Sequence, residues 1–259
     1  MDLLLRNKVV LVTGGAKGIG AAIVRACAEE GAVPVITGRD AAAAAKLQAE
    51  LKAKGAACQV FTADLTTENC VKVIEQTLSA CGRIDGLVNN AGANDKIGLE
   101  HGTTEDFVAS LHRNLVHYYT LAHHALPSLK KHQGSIVNVS SKVAVTGQGG
   151  TSGYAASKGA IFGLTREWAA ELLPYGIRVN SVVPAEVMTP LYRHWLDTFP
   201  DPESKLKTIV SKIPLEKRMT TSEEIAAAVV FLLSEKSGHT TGQHWFVDGG
   251  YVHLDRALT

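Results

Sequence analysis

The sequence predicts a single α/β domain, built as a doubly wound parallel sheet of about seven strands with helices on both faces. Short apolar segments alternate along all 259 residues with longer segments of helical periodicity. The apolar segments are continuous rather than alternating, which is typical of strands buried on both faces of a parallel sheet. No linker, internal repeat or second apolar core divides the chain, so we expect one domain over residues 1–259.

Each predicted strand is a short apolar run. These runs lie at residues 8–12, 33–37, 57–62, 84–88, 134–139, 176–182 and 243–247. Helical periodicity marks residues 19–27, 41–54, 67–78, 103–131, 154–173 and 222–234. The segment at about 185–215 is expected to be irregular, partly helical and close to the substrate, and residues 250–259 are expected to form a tail.

Local signals mark the ends of several helices. Asp40 is expected to cap the alanine-rich second helix, and Thr66 or Thr67 to cap the third. The third helix is expected to bury one apolar stripe, which consists of Val71, Ile74 and Leu78. Pro127 is expected to bend or shorten the end of the long fourth helix, because proline lacks the N–H that a helix interior uses.

Composition and charge restrict the possible partners. Apolar residues make up 46% of the chain, charged residues 20%, and the formal net charge is +1. A near-neutral chain without a basic stripe predicts no nucleic-acid partner, and no apolar run approaches the ~18 residues that cross a bilayer. The first residues do not resemble a signal peptide, and the four cysteines form no C-x-x-C pair, so we expect a cytoplasmic protein. No histidine or cysteine spacing predicts a metal site.

The turn from Thr13 to Gly20 carries four glycines between the first strand and the first helix. A buried strand, a glycine-rich turn and a helix in this order form a cradle for a phosphate group. Gly14 permits the sharp turn, Gly18 lets the backbone approach the phosphate, and Gly20 lets the helix pack closely on the strand. The pattern predicts a Rossmann-type domain, whose ligands lie at the carboxyl ends of the strands.

A tyrosine and a lysine share one face of the predicted helix over residues 154–173. Tyr154 and Lys158 stand four residues apart, and a cation beside a tyrosine stabilises its phenolate. Ser141, at the end of the neighbouring strand, can hydrogen-bond a substrate oxygen. Beside a dinucleotide, these groups can move a proton to or from a hydroxyl or carbonyl group. Taken alone, a tyrosine and a lysine at this spacing are more often a pair on a helix surface than a catalytic pair.

The chain resembles the short-chain dehydrogenase/reductase family in motifs that span nearly its whole length. The motifs are Thr13 to Gly20, Asn89-Asn-Ala-Gly92, Asn114, Ser141 and Tyr154-x-x-x-Lys158. The resemblance implies that Tyr154 is the acid/base, and that Lys158 lowers the pKa of Tyr154 and holds the nicotinamide ribose. It also implies that Ser141 positions the reacting oxygen, and that Asn114 anchors a water that relays protons to Lys158.

The expected cofactor contacts follow from the same resemblance and, for two cations, from charge. They are Gly14, Lys17, Gly18, Ile19, Gly20, Arg39, Asp64, Leu65, Asn90, Ala91, Gly92, Tyr154, Lys158, Val187 and Thr189. The resemblance implies that Asp64 contacts adenine and that Thr189 holds the carboxamide or a phosphate. Ala185 departs from the family, which usually has glycine there, and this affects only the local backbone.

Charge indicates which nicotinamide dinucleotide is bound. NAD-specific members carry an acidic residue at the end of the second strand, where it bonds the ribose 2′-hydroxyl. Gly38 has that position here, Arg39 follows it, and Lys17 lies in the glycine turn. Asp40 is one position too late and is assigned to the helix cap. Two cations without a carboxylate favour a 2′-phosphate, so we expect NADP to be preferred and NAD to be usable, unless both cations are solvated surface charges.

The substrate segment and the tail resemble those of sugar-oxidising members of the family. This resemblance implies oxidation of the C1 hydroxyl of L-fucose, or of a related aldopyranose, to the lactone. The candidate contacts to sugar hydroxyls are Ser141, Gln148, Tyr154, Glu186 and His194, with Asn94 and Asp95 nearby. Trp195 is a candidate for stacking on the sugar, for a hydrophobic lid or for a subunit contact.

Two other functions stay open at the level of sequence. A carbonyl reductase of ketoacyl, steroid or other small ketone substrates would use the same catalytic residues. A dinucleotide-sensing scaffold without turnover would typically lack the tyrosine or the lysine, and both are present. The resemblance also implies a homotetramer formed through the helices around residues 103–130 and 154–173, with a dimer as the alternative.

Overall fold

The computed structural model describes residues 2–254, so the last five residues of the predicted tail lie outside the described part. Within this range the chain forms a seven-stranded parallel sheet in the order β3-β2-β1-β4-β5-β6-β7. The strands are β1 Val9–Thr13, β2 Val33–Gly38, β3 Gln59–Thr62, β4 Gly86–Asn89, β5 Ser135–Val139, β6 Arg178–Pro184 and β7 His244–Val247. The predicted doubly wound fold is confirmed.

The strand order reverses between β1 and β4, and ligands of such folds lie at the strand ends beside this switch point. The register aligns the carboxyl ends. Thr13 is level with Thr37 of β2, and Asn89 of β4 is level with Asn138 of β5. Residues that follow these strands therefore meet at one edge of the sheet.

Helices cover both faces of the sheet. They are α1 Gly18–Glu29, α2 Ala41–Ala53, α3 Thr67–Cys81, α4 Thr104–Leu111, α5 His117–His132, α6 Ser152–Leu172, α7 Pro190–Leu196, α8 Pro202–Val210 and α9 Ser222–Leu233. Val10 and Val12 of β1 point to the face that α1 and α9 cover, whereas Val9 and Leu11 point to the face of α3, α5 and α6. β1 thus contributes to two apolar cores, one on each face of the sheet.

The predicted caps of α2 and α3 are confirmed. The Asp40 carboxylate accepts a hydrogen bond of 2.9 Å from the backbone N–H of Ala43, and the Thr66 hydroxyl accepts one from Asn69. The predicted buried stripe of α3 is partly wrong. Ile74 is buried, but Val71 and Leu78 are only half-buried, and the fully buried positions lie about one residue away at Cys70, Val73 and Thr77.

The prediction that residues 103–131 are mostly helical is confirmed. The segment divides into α4 and α5, joined by a turn of π-helix at His112–Val116. Pro127 lies inside α5, and the helix continues to His132, so the predicted shortening is wrong, whereas the alternative of a bend stays a prediction. Because His123 is exposed, water can bond the carbonyl group that loses its helical donor at Pro127. The segment 185–215 is partly helical, as predicted, and contains α7 and α8.

Candidate active site

A cleft of about 1290 Å³ opens at the carboxyl ends of the strands. Ligand pockets commonly measure about 300–1,000 Å³, so the cleft has room for a dinucleotide together with a small substrate. Its lining includes Gly14, Lys17, Gly18, Ile19, Gly20, Arg39, Asp64, Leu65, Asn90, Ala91, Gly92, Ser141, Tyr154, Lys158, Val187 and Thr189. Every residue expected to contact a cofactor therefore borders the same cavity.

The glycine turn leaves no space for a side chain at Gly20 and little at Gly14 and Gly18. A Cβ atom on Gly20 would overlap the carbonyl oxygen of Gly14 and lie 2.7 Å from the side-chain nitrogen of Asn90. Gly14 has a φ of +61°, and Gly18 has a φ of +51° with Thr189 across the cleft at 3.2 Å from an added Cβ. This cradle at the N-terminus of α1 fits the phosphates of a dinucleotide.

Thr13 and Asn90 fasten the glycine turn to the loop after β4. The Thr13 hydroxyl accepts hydrogen bonds from the backbone N–H groups of Asn90 and Ala91, at 2.8 and 2.9 Å. The Asn90 side chain donates in return to the carbonyl oxygen of Thr13 at 2.8 Å. Thr13 thus shapes the site without being one of the expected contacts. The sequence signal that could have identified Thr13 was its position at the end of a predicted buried strand.

Asn114 lies in the π-helical turn between α4 and α5 and is fully buried. Its side-chain oxygen accepts a hydrogen bond of 2.8 Å from Ala93, and its nitrogen donates to the carbonyl oxygen of Ser110 at 3.1 Å. A Cβ atom on Gly92 would lie 2.9 Å from the Asn114 oxygen and 3.6 Å from the Lys158 ammonium. The structure therefore brings Asn114 and Lys158 together beside Gly92.

Lys158 is 2% exposed and bonds two neutral oxygens. Its ammonium donates to the carbonyl oxygen of Val139 at 2.8 Å and to the hydroxyl of Tyr118 at 3.2 Å. Burial lowers the pKa of Lys158 to about 7. Tyr118 was not among the expected site residues, because an aromatic residue inside a helix is more often part of the core.

Tyr154 stands in the first turn of α6, and the Lys158 ammonium lies 5.6 Å from its ring centre. The resemblance implies that Lys158 lowers the pKa of Tyr154, but in this structure that pKa is raised. Loss of water around the hydroxyl raises the pKa most, the hydrogen bond with Ser141 opposes this, and Asp95 raises it further. Burial therefore outweighs the stabilisation of the phenolate.

The two serines after β5 differ in their partners. The Ser140 hydroxyl is buried and donates to the carbonyl oxygen of Lys158 at 2.9 Å. Ser141 is half-buried, lies close enough to Tyr154 to lower the pKa of that phenol, and accepts a 3.4 Å hydrogen bond from Val143. Ser140 thus anchors α6 to the sheet, whereas Ser141 faces the reacting tyrosine.

The two cations expected at a 2′-phosphate border the cleft, but each has a carboxylate partner. Lys17 forms an ion pair with Asp40, and Arg39 lies 3.9 Å from Asp64. Asp40 therefore caps α2 and also neutralises Lys17, so the expectation of two cations without a carboxylate is wrong. Both cations stay largely exposed, with 60% and 76% of their side chains accessible.

The expected substrate residues do not all meet. Ser141 and Tyr154 border the cleft, whereas Gln148, Glu186 and His194 lie outside its lining, and Gln148 and His194 are exposed. Glu186 bonds Lys142 and Tyr192. Asp95, considered as a neighbour of these residues, accepts hydrogen bonds from Ser110 and Arg113 at 3.0 and 3.1 Å.

Two further findings concern residues 2–254 only. No group of three or more His, Cys, Asp or Glu side chains there could hold a metal ion. No helix in this part of the chain combines the length and apolar character needed to cross a membrane.

Comparison with known proteins identifies the family of this chain. A family model described as enoyl-(acyl carrier protein) reductase matches residues 14–252. The chain belongs to the short-chain dehydrogenase/reductase family. Members of this family are oxidoreductases that use nicotinamide cofactors.

Curated family members include sugar and acyl-group enzymes. The chain is 40% identical to L-fucose dehydrogenase of Oryctolagus cuniculus over 94% of its own length and 84% of that protein. It is 37% identical to 3-oxoacyl-[acyl-carrier-protein] reductase FabG of Thermotoga maritima over 96% and 99% of the two chains. Both similarities cover nearly the whole chain, including most of the residues that line the cleft.

Solved structures of family members resemble the whole fold. Cj0485 dehydrogenase is 47% identical, with a TM-score of 0.94 and coverage of 100% and 99% of the two chains. L-Sorbose reductase from Gluconobacter frateurii, complexed with NADPH and L-sorbose, is 29% identical, with a TM-score of 0.93 and coverage of 98% and 100%.

Proposed function

We propose that this short-chain dehydrogenase oxidises the C1 hydroxyl of L-fucose, or of a related aldopyranose, to the lactone with NADP as the preferred cofactor. The observation that carries the proposal is that Ser141, Tyr154 and Lys158 line one cleft large enough for both cofactor and sugar. Its support among relatives is the similarity to L-fucose dehydrogenase and to an L-sorbose reductase with bound sugar.

The proton of the C1 hydroxyl passes to Tyr154. Ser141 donates a hydrogen bond to the same oxygen and holds it against the phenolate, which is the geometry that general-base catalysis requires. When bound, the nicotinamide cofactor supplies the hydride acceptor. Loss of one proton and one hydride converts the C1 hydroxyl to the lactone carbonyl, so the atoms and electrons balance.

Lys158 and Asn114 support this proton transfer. The Lys158 ammonium stabilises the phenolate of Tyr154 and holds the nicotinamide ribose. Asn114 orders the π-helical turn through Ser110 and Ala93, and anchors a water that relays protons to Lys158. A π-helical turn inside a helix is frequent at functional sites, which agrees with this role.

We assign the remaining cofactor contacts to residues that line the cleft. Gly14, Gly18 and Gly20 hold the diphosphate, and Asp64 with Leu65 contacts the adenine. Ile19, Val187 and Thr189 face the nicotinamide half, and the loop at residues 90–92 lies beside the adenine ribose. Arg39 and Lys17 bind the 2′-phosphate through their exposed ends, which exchange a carboxylate partner for the phosphate. NAD lacks this phosphate and is used less efficiently.

One finding favours a second function. The chain is almost as similar to a 3-oxoacyl-[acyl-carrier-protein] reductase as to an L-fucose dehydrogenase, and the same Ser141, Tyr154 and Lys158 serve a reductase of ketones. The charged pair of Lys142 and Glu186, which adjoins the cleft residues Ser141 and Val187, favours the sugar. A scaffold without turnover is disfavoured, because the tyrosine–lysine pair is intact.

We also propose a cytoplasmic homotetramer. Tyr119, on α5, is 57% exposed and stacks on the exposed His123 with ring centres 5.9 Å apart. This aromatic surface, together with the outer face of α6, is suited to a subunit contact. All four cysteines are free thiols, as a reducing compartment favours.

The experiment is an assay of purified protein with NADP or NAD and a panel of aldoses and ketones, in which reduced cofactor is followed optically. We expect turnover of L-fucose, D-arabinose or L-galactose, which share ring configuration. The Tyr154→Phe variant should lose turnover and retain cofactor binding. Turnover confined to ketones would establish the second function instead.

A further inference from the structure

A buried ion pair lies beside Ser141 and takes no part in the proton transfer proposed above. Lys142 follows Ser141 in the chain, and its ammonium pairs with one carboxylate oxygen of Glu186. The two side chains are only 14% and 13% exposed. The pair thus places a positive and a negative group next to the proposed reacting centre.

The residues beside the pair belong to the wall of the cleft. Ser141 lines the cleft directly before Lys142, and Ala185 and Val187 line it on either side of Glu186. Consecutive Cα atoms are about 3.8 Å apart, so Lys142 and Glu186 lie within one residue of groups that face the substrate. Neither Lys142 nor Glu186 borders the cleft itself, but Glu186 bonds Tyr192, which does, so the pair lies directly behind the wall that faces the substrate.

Two tyrosines hold the pair in place. The hydroxyl of Tyr192, itself a cleft residue on α7, donates a hydrogen bond of 2.6 Å to the second carboxylate oxygen of Glu186. The ring of Tyr251 lies over the Lys142 ammonium, 4.1 Å from its centre. The pair therefore connects the end of β5, the segment after β6 and the residues after β7.

Stability alone does not account for a charged pair at this position. Removal of two charges from water offsets most of their attraction, and apolar side chains of similar volume are often at least as stable. Charged groups, however, make hydrogen bonds about twice as strong as neutral groups do. An adjacent carboxylate and ammonium can accept from one hydroxyl and donate to its neighbour, which is the pattern that a vicinal diol offers.

We propose that Lys142 and Glu186 bind the hydroxyls at C2 and C3 of the sugar and so make the enzyme selective for a vicinal diol beside the oxidised carbon. This inference rests on the proposed sugar dehydrogenase function and assigns the residues that set its specificity. Tyr192 and Tyr251 are positioning residues, because they act on the substrate through Glu186 and Lys142.

The test measures kcat/KM at saturating NADP for L-fucose and for its 2-deoxy and 3-deoxy analogues. In the wild type, loss of either hydroxyl should lower kcat/KM about 10-fold or more, as expected for one charge-assisted hydrogen bond. In Lys142→Met and in Glu186→Gln, L-fucose turnover should fall by a similar factor. In each variant, removal of one of the two sugar hydroxyls should then lower kcat/KM by only about twofold.

Lys8→Met and Glu235→Gln are matched controls, because these residues form a 3.6 Å ion pair at the amino-terminal edge of the sheet. In both control variants, kcat/KM should decrease for the 2-deoxy and 3-deoxy sugars as much as in the wild type. KM for NADP should stay constant in all variants. Circular dichroism verifies the fold, and Lys142→Gln replaces Lys142→Met if the latter does not fold.

Two results overturn the inference and can be told apart. In the first, the wild type oxidises L-fucose, but the Lys142 and Glu186 variants still lose as much kcat/KM as the wild type with the 2-deoxy and 3-deoxy sugars. The pair then has only a structural role, and the proposed function stands. If the wild type oxidises no aldose and reduces ketones, the proposed function is wrong and the inference falls with it.

Discussion

The ammonium nitrogen of Lys158 lies 3.2 Å from the phenol oxygen of Tyr118, a fully buried residue of α5. Tyr118 in turn donates to the carbonyl oxygen of Val139 at 3.0 Å, the same oxygen that Lys158 bonds. These neutral oxygens solvate a cation whose pKa burial lowers to about 7. Tyr118 is therefore a positioning residue for the tyrosine–lysine pair.

Tyr118→Phe should lower kcat for oxidation by about 3- to 10-fold, the value of one hydrogen bond to a buried charge. Removal of the Tyr118 hydroxyl takes away a hydrogen-bond acceptor of the Lys158 ammonium, so the pKa of Lys158 falls further. The phenolate of Tyr154 is then less stabilised by positive charge. The pH–rate profile should shift to higher pH. Tyr119→Phe is the control, because Tyr119 is 57% exposed and neighbours Tyr118 in the chain. Equal profiles for the two variants would count against the role of Tyr118.

The raised pKa of Tyr154 predicts the pH dependence of the reaction. A base must be deprotonated, and a phenol whose pKa lies above its ordinary value of about 10 is almost entirely neutral at pH 7. Oxidation should therefore accelerate as the pH rises above neutrality. Lys158 loses charge over the same range, so the rise should be shallower than tenfold per pH unit.

The direct measurement is the ultraviolet difference between wild type and Tyr154→Phe during a pH titration of the free protein. We expect no phenolate signal from Tyr154 below about pH 9. A phenolate already present at pH 7 would show that Lys158 lowers the pKa of Tyr154 without a bound ligand, contrary to the effect of burial described above.

Gly20→Ala should disrupt the phosphate cradle. The added Cβ would overlap the Gly14 carbonyl group, so the turn must shift, at a cost of about 1–3 kcal/mol in the free energy of unfolding. NADP affinity, measured by calorimetry, should fall by about 10-fold or more. Gly147→Ala is the control, because an added Cβ there meets nothing within 4 Å. Unchanged NADP affinity in Gly20→Ala would exclude this turn as the phosphate site.

Arg39→Met tests the cofactor preference. Removal of the cation should lower kcat/KM with NADP by about 10-fold and leave the value with NAD within about twofold, because only NADP carries the 2′-phosphate. The exposed Arg6→Met, before β1, should change neither value. A wild type with higher kcat/KM for NAD would mean that Asp40 and Asp64 dominate the electrostatics of this region.

Sequence patterns predicted the sheet well because its signals are local. The apolar strands, the glycine turn and the caps at Asp40 and Thr66 depend on neighbouring residues, and each lies where it was expected. The break between α4 and α5 was not predicted. In the π-helical turn, Asn114 donates to the carbonyl oxygen of Ser110 and accepts from the backbone N–H of Ala93. The contact with Ala93 comes from a distant loop and leaves no periodic trace in the sequence.

Partners across the fold explain the other differences at the site. The ion pair between Lys17 and Asp40 joins the glycine turn to the start of α2, and the pair of Lys142 with Glu186 joins the ends of β5 and β6. Neither pairing follows from spacing in the chain. The same limit applies to Tyr118, whose bond to Lys158 crosses 40 positions.

Nuclear magnetic resonance of the product formed from L-fucose and NADP tests the central claim most directly. The account predicts that wild-type protein yields the C1 lactone with one NADPH formed for each sugar consumed, and that Tyr154→Phe yields none. Oxidation of a different carbon, or no oxidation of any aldose while ketones are reduced with NADPH, would contradict it.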